Sequence, residues 1–311
     1  MEVVKKILKN RVLTNTIIIG ILFVIFSLMN NYFLTYGNLR NIIFQSGITI
    51  ITAFAMTFII LTGGIDLSMG AVVALSTIVG VLSMNKGAPL IVGILVTISV
   101  STLFGLVHGL FVAKTDLNPF IITLSTMNVA RGASYIITNG ATIPFSNNAY
   151  LSIFNGSFLG IPFPTYLVGL LLAITMFILS KTKIGREIYA VGSNKQAAEF
   201  SGINLSKVYI FTYLIAGVLV GIGSLLVIGR VSSGIPSYGV GLELDAIVAV
   251  VLGGATMSGG RGTVLGTIIG SLVVVVLLNG LTILGISNYI QMIIKGIIIL
   301  IAVYWDSLDL D

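Results

Sequence analysis

The chain has 311 residues, of which 56% are hydrophobic and 8% are charged, and its mean hydropathy is +1.11. Because a soluble domain carries about 25% charged residues, this composition excludes a soluble globule and predicts an integral membrane protein. The sequence has no cysteine and one histidine, which excludes disulfides, thiolate catalysis and clusters of cysteine or histidine around a metal. The net charge of +6 does not indicate nucleic-acid binding, because excess lysine and arginine in a membrane protein usually reports topology.

The chain begins with a basic stretch, residues 1–15, that is followed by an apolar run over 16–36. That run is too long for a cleaved signal peptide, so it predicts a first membrane crossing. Apolar runs of about 20 residues, bounded by Gly, Asn, Pro or charge, predict ten transmembrane segments in all. They cover 16–36, 42–62, 66–84, 89–113, 119–138, 163–180, 208–230, 245–258, 262–285 and 288–304. The eighth is short, and we expect it to be broken or re-entrant.

The basic residues orient these segments. With the N-terminus in the cytoplasm, three of the 16 lysines and arginines (Arg40, Lys86 and Arg230) fall outside the cell. Eleven fall on the cytoplasmic side, as the positive-inside rule requires: Lys5, Lys6, Lys9, Arg11, Lys114, Lys181, Lys183, Arg186, Lys195, Lys207 and Arg261. Ten crossings also place the C-terminus in the cytoplasm. The sequence therefore predicts one all-α polytopic membrane domain over 1–311, with a cytoplasmic N-terminal segment (1–15) and one long cytoplasmic loop (181–207).

The loop 181–207 is charged and carries the signals of a short helix. Ser193 and Gln196 have the spacing of a capping box, and Gly202 is typical of the residue that ends a helix. A helix of about two turns is unstable alone in water. It must therefore pack either on the base of the membrane domain or on a partner protein.

Segments three and eight each begin with a glycine-containing turn and an aspartate, Asp66 and Asp245. By the charge count one turn faces the cytoplasm and the other faces outside, as expected for two inverted five-helix halves. An aspartate at the start of a helix caps free N–H groups, and Gly63 and Gly64 permit a tight turn before Asp66. Alternatively, both aspartates belong to a polar site or gate in the membrane.

Other polar residues lie inside the segments. Arg131 is in the outer half of segment five, and we expect its side chain to extend outward. Lys295 is near the middle of segment ten and needs a partner, and the lone His108 is most simply a structural residue. Segment five also has small and hydroxyl residues at helical spacing, which either line a polar pathway or let two helices approach closely. These are Thr123, Thr126, Ala130, Ser134 and Thr138.

Five motifs resemble the permease subunits of bacterial ABC importers for monosaccharides. They are ILTGGIDLSMG at 60–70, NPFIITLSTMNVARG at 118–132, TNG at 138–140, GREIYAVGSNKQAAEFSGIN at 185–204 and ELDAIVAVVLGGATMSGGRGTVLGTIIG at 243–270. The resemblance runs from about Thr35 to Asp306, and the last motif is long and specific. It implies a multi-pass permease subunit of the bacterial cell membrane, which forms the pathway of an ATP-driven importer for ribose or a similar monosaccharide.

The resemblance also implies partners and a division of labour. The chain would pair with a second copy of itself, contact a separate ATP-binding cassette ATPase in the cytoplasm and receive sugar from an extracytoplasmic binding protein. It would not be an enzyme and would bind no cofactor. ATP and Mg would be held by the ATPase, because this chain lacks the phosphate-binding GxxxxGK[ST] motif.

Two sets of site residues follow from these expectations. The loop 181–207 occupies the place of the coupling helix of ABC permeases, and its coupling residues would be Ser193, Gln196, Ala197, Ala198, Glu199 and Gly202. A translocation pathway or gate is expected at Gly63, Gly64, Asp66, Ser68, Asn118, Phe120, Thr123, Thr126, Arg131 and Asp245. No residue is expected to bind a metal or to be catalytic.

One other class of function stays open on the residues alone. A secondary transporter or channel for a small neutral solute would be driven by an ion gradient rather than by ATP. Its coupling residue would lie at mid-depth in the membrane, where Lys295 is the main candidate, and a broken eighth helix would also suit it. An intramembrane enzyme would need paired carboxylates or a Ser/His arrangement, and the segments contain neither.

Overall fold

The computed structural model describes residues 11–308, and within 302–308 it describes only the side chain of Tyr304. Lys5, Lys6 and Lys9 and the last three residues of the chain lie outside the described residues. The described chain is all-α apart from four two-residue strands: β1 (Ile143–Pro144), β2 (Ser157–Phe158), β3 (Ile161–Pro162) and β4 (Ser233–Gly234). Its helices are α1 (Arg11–Met29), α2 (Tyr36–Leu61), α3 (Met69–Asn85), α4 (Leu90–Lys114), α5 (Pro119–Thr138), α6 (Asn148–Phe154), α7 (Phe163–Lys181), α8 (Lys183–Ser193), α9 (Lys195–Phe200), α10 (Leu205–Val231), α11 (Leu242–Leu252), α12 (Val264–Ile283) and α13 (Asn288–Leu308).

Seven of the described helices are long and apolar enough to cross a membrane: α1, α2, α4, α5, α7, α10 and α12. Two shorter apolar helices cover Met69–Asn85 and Asn288–Ile301. The predicted eighth segment contains only α11, which has 11 residues and is followed by non-helical chain at 253–263. The chain is thus an all-α polytopic membrane protein, and the eighth segment is short as predicted.

Helix α2 forms the centre of the bundle. All of its residues from Ser46 to Leu61 are buried, since α10, α11 and α12 pack around it. Helix α4 lies directly against α10, where a Cβ added to Gly217 would sit 2.7 Å from the carbonyl oxygen of Ser101. Lipid gives helices little hydrophobic reason to associate, so such close backbone approach and its van der Waals contacts stabilise the bundle.

Between α10 and α11 the chain re-enters the bundle as the short strand β4 followed by a series of turns. β4 pairs with β1 in antiparallel fashion, and residues 235–241 then run along α3. Gly234 lies against Ile78, and Gly239 lies against Gly70, which is nearer the start of α3. A side chain at either glycine would collide with the α3 backbone. Unwound backbone at membrane depth is tolerated only where protein covers it or it lines a cavity, and α3 supplies this cover.

The loop between α5 and α7 packs on the end of α10 through aromatic side chains. Tyr150 on α6 is fully buried and stacks on Phe154 with ring centroids 4.4 Å apart. Its hydroxyl donates a hydrogen bond to the carbonyl oxygen of Leu225 at 2.8 Å. Burial raises the pKa of the Tyr150 hydroxyl. This loop is therefore a fixed cap on one end of the molecule.

At the opposite end, the turn after α2, helix α8 and residues 253–263 form a common base. The backbone N–H of Gly260 donates to the carbonyl oxygen of Leu61 at 3.0 Å. The hydroxyl of Tyr189 on α8 donates to the carbonyl oxygen of Gly262 at 2.9 Å, and burial raises the pKa of that hydroxyl. The base holds α8 and α9 at a fixed place under α2.

Candidate functional site

The predicted short helix in the loop 181–207 is present as α9, but its cap differs from the prediction. The predicted capping box of Ser193 and Gln196 is wrong. Ser193 is the last residue of α8 and therefore does not occupy the N-cap position of α9. The side chain of Asn194 caps α9 instead, accepting from the backbone N–H of Ala197 at 2.9 Å. Asn194 has an extended backbone (φ −160°, ψ 105°), which turns the chain between the two helices.

The end of α9 agrees with the prediction at Gly202. This residue has a φ of +80°, the left-handed conformation that glycine adopts without strain. Its N–H donates to the carbonyl oxygen of Glu199 at 2.9 Å, and the N–H of Ile203 donates to that of Ala198 at 3.1 Å. These two bonds are a Schellman motif, and they fix the direction in which α9 leaves the base.

Helix α9 projects from the base with little protein around it. Of the predicted coupling residues, Ala198 is the buried one, and it anchors α9 against the molecule. Gln196, Ala197 and Glu199 are exposed. The largest apolar side chain on the helix, Phe200, is 90% exposed, and the sequence reasoning did not single it out. Phe200 thus presents an aromatic side chain that a partner protein could bury, and buried aromatic residues are frequent anchors of protein interfaces.

Asp66 lies in a buried hydrogen-bonded turn before α3. It is 6% exposed, and its Oδ1 accepts from the backbone N–H of Ser68 at 2.7 Å and from the Ser68 hydroxyl at 2.6 Å. Gly63 takes a φ of +77° in the preceding turn. A Cβ added to Gly64 would lie 2.6 Å from the hydroxyl oxygen of Tyr213. One predicted glycine therefore makes the turn, and the other leaves room for a tyrosine.

The lone histidine is part of the same buried cluster. His108 Nδ1 lies 3.6 Å from Asp66 Oδ2, and its Nε2 lies 2.6 Å from the hydroxyl of Thr126. The ring also packs edge-on against Tyr213. The sequence held a signal for this pairing, because His108 and Thr126 stand nine residues before and after Leu117, in the turn between α4 and α5. Two antiparallel helices place such residues side by side.

Helix α5 carries polar residues on both its buried and its exposed face. The predicted stripe faces the protein: Thr123, Ala130, Ser134 and Thr138 are buried, and Thr123 accepts from the backbone N–H of Leu67 at 3.3 Å. The exposed face carries Ser125, Asn128 and Tyr135 among the exposed apolar side chains of Ile121, Val129 and Ile136. At the start of the helix, Asn118 caps α5 by accepting from the N–H of Phe120 at 2.9 Å, and the Phe120 side chain is exposed.

Arg131 connects α5 to the non-helical segment 235–241. Its Nη1 donates to the carbonyl oxygens of Pro236 at 2.6 Å and Tyr238 at 2.8 Å. The expected outward extension of this side chain is therefore wrong. Pro236 and Tyr238 lie in non-helical chain, and the guanidinium supplies a donor to both of their carbonyl oxygens. The Arg131 side chain therefore turns toward these carbonyls and not toward the lipid headgroups.

Asp245 and Lys295 form an ion pair between α11 and α13. Lys295 Nζ lies 2.7 Å from Asp245 Oδ1, and the two side chains are 16% and 14% exposed. The partner that Lys295 requires is therefore a residue in the first turn of α11. Within the described residues, no three His, Cys, Asp or Glu side chains come together as a set of metal ligands.

The comparisons with known proteins all identify permease components of transport systems. Residues 38–303 match the family described as branched-chain amino acid transport system / permease component. The chain is 42% identical to the ribose import permease protein of Haemophilus influenzae, over 92% of this chain and 90% of that protein. It is 42% identical to the ribose import permease protein of Bacillus subtilis, over 92% and 89%. It is 34% identical to the D-allose transport system permease protein of Escherichia coli, over 94% and 90%. No solved structure matches the chain.

The family match begins in α2 and ends in α13, so it includes the Asp66 cluster, the α8–α9 loop and the Asp245–Lys295 pair. The seven apolar helices agree with a multi-pass protein of the bacterial inner membrane. A permease component of a transport system accounts for both observations. The chain therefore belongs to the branched-chain amino acid transport system / permease component family.

Proposed function

We propose that this chain is the membrane permease subunit of an ATP-driven importer for ribose or a similar monosaccharide, coupled through α9 to a separate ATPase. The single observation that carries the proposal is the geometry of α9. This helix is capped at both ends, anchored by Ala198 and tipped by the exposed ring of Phe200. A motor protein with a complementary groove could push on such a fixed projection without unfolding it.

The proposed cargo rests on the relatives and on the chemistry of α5. The family description names branched-chain amino acids, whereas the similar proteins with named cargo transport ribose and D-allose. The exposed face of α5 offers the hydroxyl and amide groups of Ser125, Asn128 and Tyr135. These groups suit a neutral, hydroxyl-rich solute better than an amino acid, whose ammonium and carboxylate need charged partners.

The proposed topology has ten crossings and both termini in the cytoplasm. The eleven basic residues on the α8–α9 side of the predicted segments support it. In this topology α11 and the non-helical chain before it make one broken crossing. The proposed relation of two inverted halves is supported by the similar turns before Asp66 and Asp245, each of which opens a short helix.

A second copy of the chain would complete the pathway. Polar groups on an outward helix face are unfavourable against lipid, so the exposed face of α5 is better satisfied by water and another protomer. In the proposed pathway, Asn118 and Phe120 lie at its cytoplasmic end. Arg131 fixes the non-helical segment 235–241 beside it, and the turns around Gly63–Ser68 and Asp245 act as gates.

The proposed partners divide the work of transport. An extracytoplasmic binding protein would supply most of the sugar affinity and dock on the face that carries the loop 139–162. The ATPase would hold ATP and Mg, and this chain would bind no cofactor. Movement of the ATPase would displace α9 and α8, and the contacts of Tyr189 and Gly260 with the base would pass that displacement to the turn after α2.

Phe200→Ser tests the coupling role. A ring that is 90% exposed contributes little to folding, but an aromatic anchor of an interface typically contributes about 2 kcal/mol or more to binding. We expect the variant to insert normally, to copurify poorly with the ATPase and to lose at least about 90% of ATP-driven ribose uptake.

The matched control is Phe158→Ser, which removes a phenylalanine that is 66% exposed on the outer hairpin. This variant should bind the ATPase normally. If correctly inserted Phe200→Ser protein kept wild-type uptake and ATPase binding, α9 would not be the coupling element.

A further inference from the structure

A cavity of about 500 Å³ lies between α9 and the turn after α2. Its volume falls in the range of about 300–1,000 Å³ that is typical of small-molecule sites. The wall is formed by the end of α2, the loop between α4 and α5, the junction of α8 and α9, and the first turns of α10. The cavity lies within one protomer and adjoins the cytoplasmic end of the proposed pathway, since Gly63, Gly64 and Asn118 line it.

A buried hydroxyl lines this cavity. Tyr213 is 1% exposed, and its hydroxyl has no hydrogen-bond partner among the described residues. Buried polar groups in native proteins are almost always hydrogen-bonded. The contact with Gly64 holds the hydroxyl at the edge of the turn. The Tyr213 side chain borders the cavity, and its hydroxyl lies just behind the surface at Gly64, so a small shift of that turn would bring the hydroxyl within reach of a ligand.

The other polar groups of the wall suit an uncharged ligand. Asp116 and Lys195 contribute opposite charges, and the Lys195 ammonium lies 6.0 Å from the centre of the Tyr209 ring. Asn118 and Asn194 use their amide oxygens as helix caps, which leaves their NH₂ groups as donors. The charges of Asp116 and Lys195 cancel, so the wall has no net charge. Its amides and carboxylate can hydrogen-bond to sugar hydroxyls, and its aromatic rings can pack on the C–H face of a sugar ring.

We propose that this cavity is a second sugar site, which binds a neutral monosaccharide from the cytoplasm and thereby slows ATP hydrolysis by the partner ATPase. The regulatory part rests on the proposed function. A sugar between Ser193–Lys195 and Thr62–Gly64 would bridge the junction below α9 to the turn that α9 must move. A ligand that binds one arrangement of two elements more tightly shifts the population toward that arrangement.

Binding is tested first, on the full chain with its ATPase in nanodiscs, without nucleotide and without binding protein. The probe is radiolabelled D-ribose in equilibrium dialysis. We expect saturable binding that Tyr213→Phe weakens about tenfold, since it removes one buried hydrogen bond to the sugar. Asp116→Asn should also weaken it. The control Tyr166→Phe alters a hydroxyl that bonds to Phe158 in the outer hairpin, and it should leave binding unchanged.

Regulation is tested in proteoliposomes by varying ribose in the compartment that faces α9. We expect internal ribose to lower ATP hydrolysis, and Tyr213→Phe to relieve the inhibition. Absence of ribose binding, or binding that neither Tyr213→Phe nor Asp116→Asn weakens, would overturn the site. Tighter binding of ribose 5-phosphate than of ribose would overturn its neutral character, and binding without inhibition would overturn the regulatory role. Ribose binding that persists in a complex without ATP-driven uptake would contradict the proposed function and leave the site standing.

Discussion

The two acidic turns look alike in the sequence but are stabilised in different ways. Asp66 is held by neutral donors, the N–H and hydroxyl of Ser68, with His108 at 3.6 Å. Asp245 is held by a cation, Lys295, at 2.7 Å. The Asp66 side chain is 6% exposed, and the Asp245–Lys295 pair is the only ion pair between α11 and α13 among the described residues.

The difference shows that a carboxylate in the membrane has two routes to stability. Hydrogen bonds to the carboxylate fix a local turn, because both donors belong to Ser68, two positions along the chain. An ion pair fixes two helices to each other and depends on both partners, because one charge left alone is costly. Substitutions in the Asp66 turn should therefore cause moderate losses of stability, whereas loss of one partner of the Asp245–Lys295 pair should cause a large one.

Lys295→Met should have the largest effect. It leaves the Asp245 carboxylate unpaired, which we expect to lower the free energy of unfolding by about 3–5 kcal/mol. The double variant Lys295→Met with Asp245→Asn removes both charges and should recover most of that loss. The measurement is the denaturation midpoint of the purified protein in mixed micelles.

The exposed Lys86→Met serves as the control, since Lys86 lies outside the helices and should change stability little. If Lys295→Met and the double variant with Asp245→Asn were equally unstable, the ion pair would not determine the stability of this region.

Asp66→Ala should have an intermediate effect. It removes the acceptor of two hydrogen bonds from Ser68, and hydrogen bonds to a charged group contribute about 1.5–3 kcal/mol. Asp66→Asn keeps an acceptor oxygen for Ser68 and should lose about 1 kcal/mol. The same denaturation series measures both. The two turns share no partner, so the stability losses of Asp66→Asn and Lys295→Met should add in the double variant. A double variant that is more stable than Asp66→Asn alone would contradict the independence of the two turns.

Ser68→Ala should have the smallest effect and sharpens the comparison further. Ser68, the residue that precedes α3, and Ser76, within α3, are both fully buried. The Ser68 hydroxyl donates to Asp66, whereas the Ser76 hydroxyl has no partner among the described residues. We expect Ser68→Ala to lose about 1 kcal/mol and Ser76→Ala to lose close to nothing. Equal losses of stability in the two variants would show that the hydrogen bond from Ser68 to Asp66 does not stabilise the turn.

Much of the fold follows from local sequence signals. The ten predicted segments each contain a helix, because about 20 consecutive apolar residues leave the backbone few other ways to satisfy its hydrogen bonds in lipid. Gly202 and the short α11 were also predictable, since the first needs a left-handed backbone and the second is visible as a short apolar run. The cap of α9 was misplaced by one residue because Ser and Asn are both good caps, and only the end of α8 decides between them.

The candidate site depended on contacts that local patterns do not record. Lys295 pairs with a residue 50 positions away in the chain. Arg131 binds backbone carbonyls, and no side-chain pattern marks an acceptor of that kind. The stripe at Thr123 and Ser134 proved to face the protein, because the sequence shows the spacing of a helix face but not what packs against it. His108 is the exception, since its distance from the α4–α5 turn could have paired it with Thr126.

The central claim is that ATP drives this permease, and transport in proteoliposomes tests it most directly. The chain is reconstituted with its ATPase, and ribose uptake is measured with ribose-loaded binding protein outside and ATP inside. We predict accumulation of ribose that requires ATP and persists when ionophores remove every ion gradient. Uptake without the ATPase that follows an imposed ion gradient, and that Lys295→Met with Asp245→Asn abolishes, would contradict the account and support a secondary transporter.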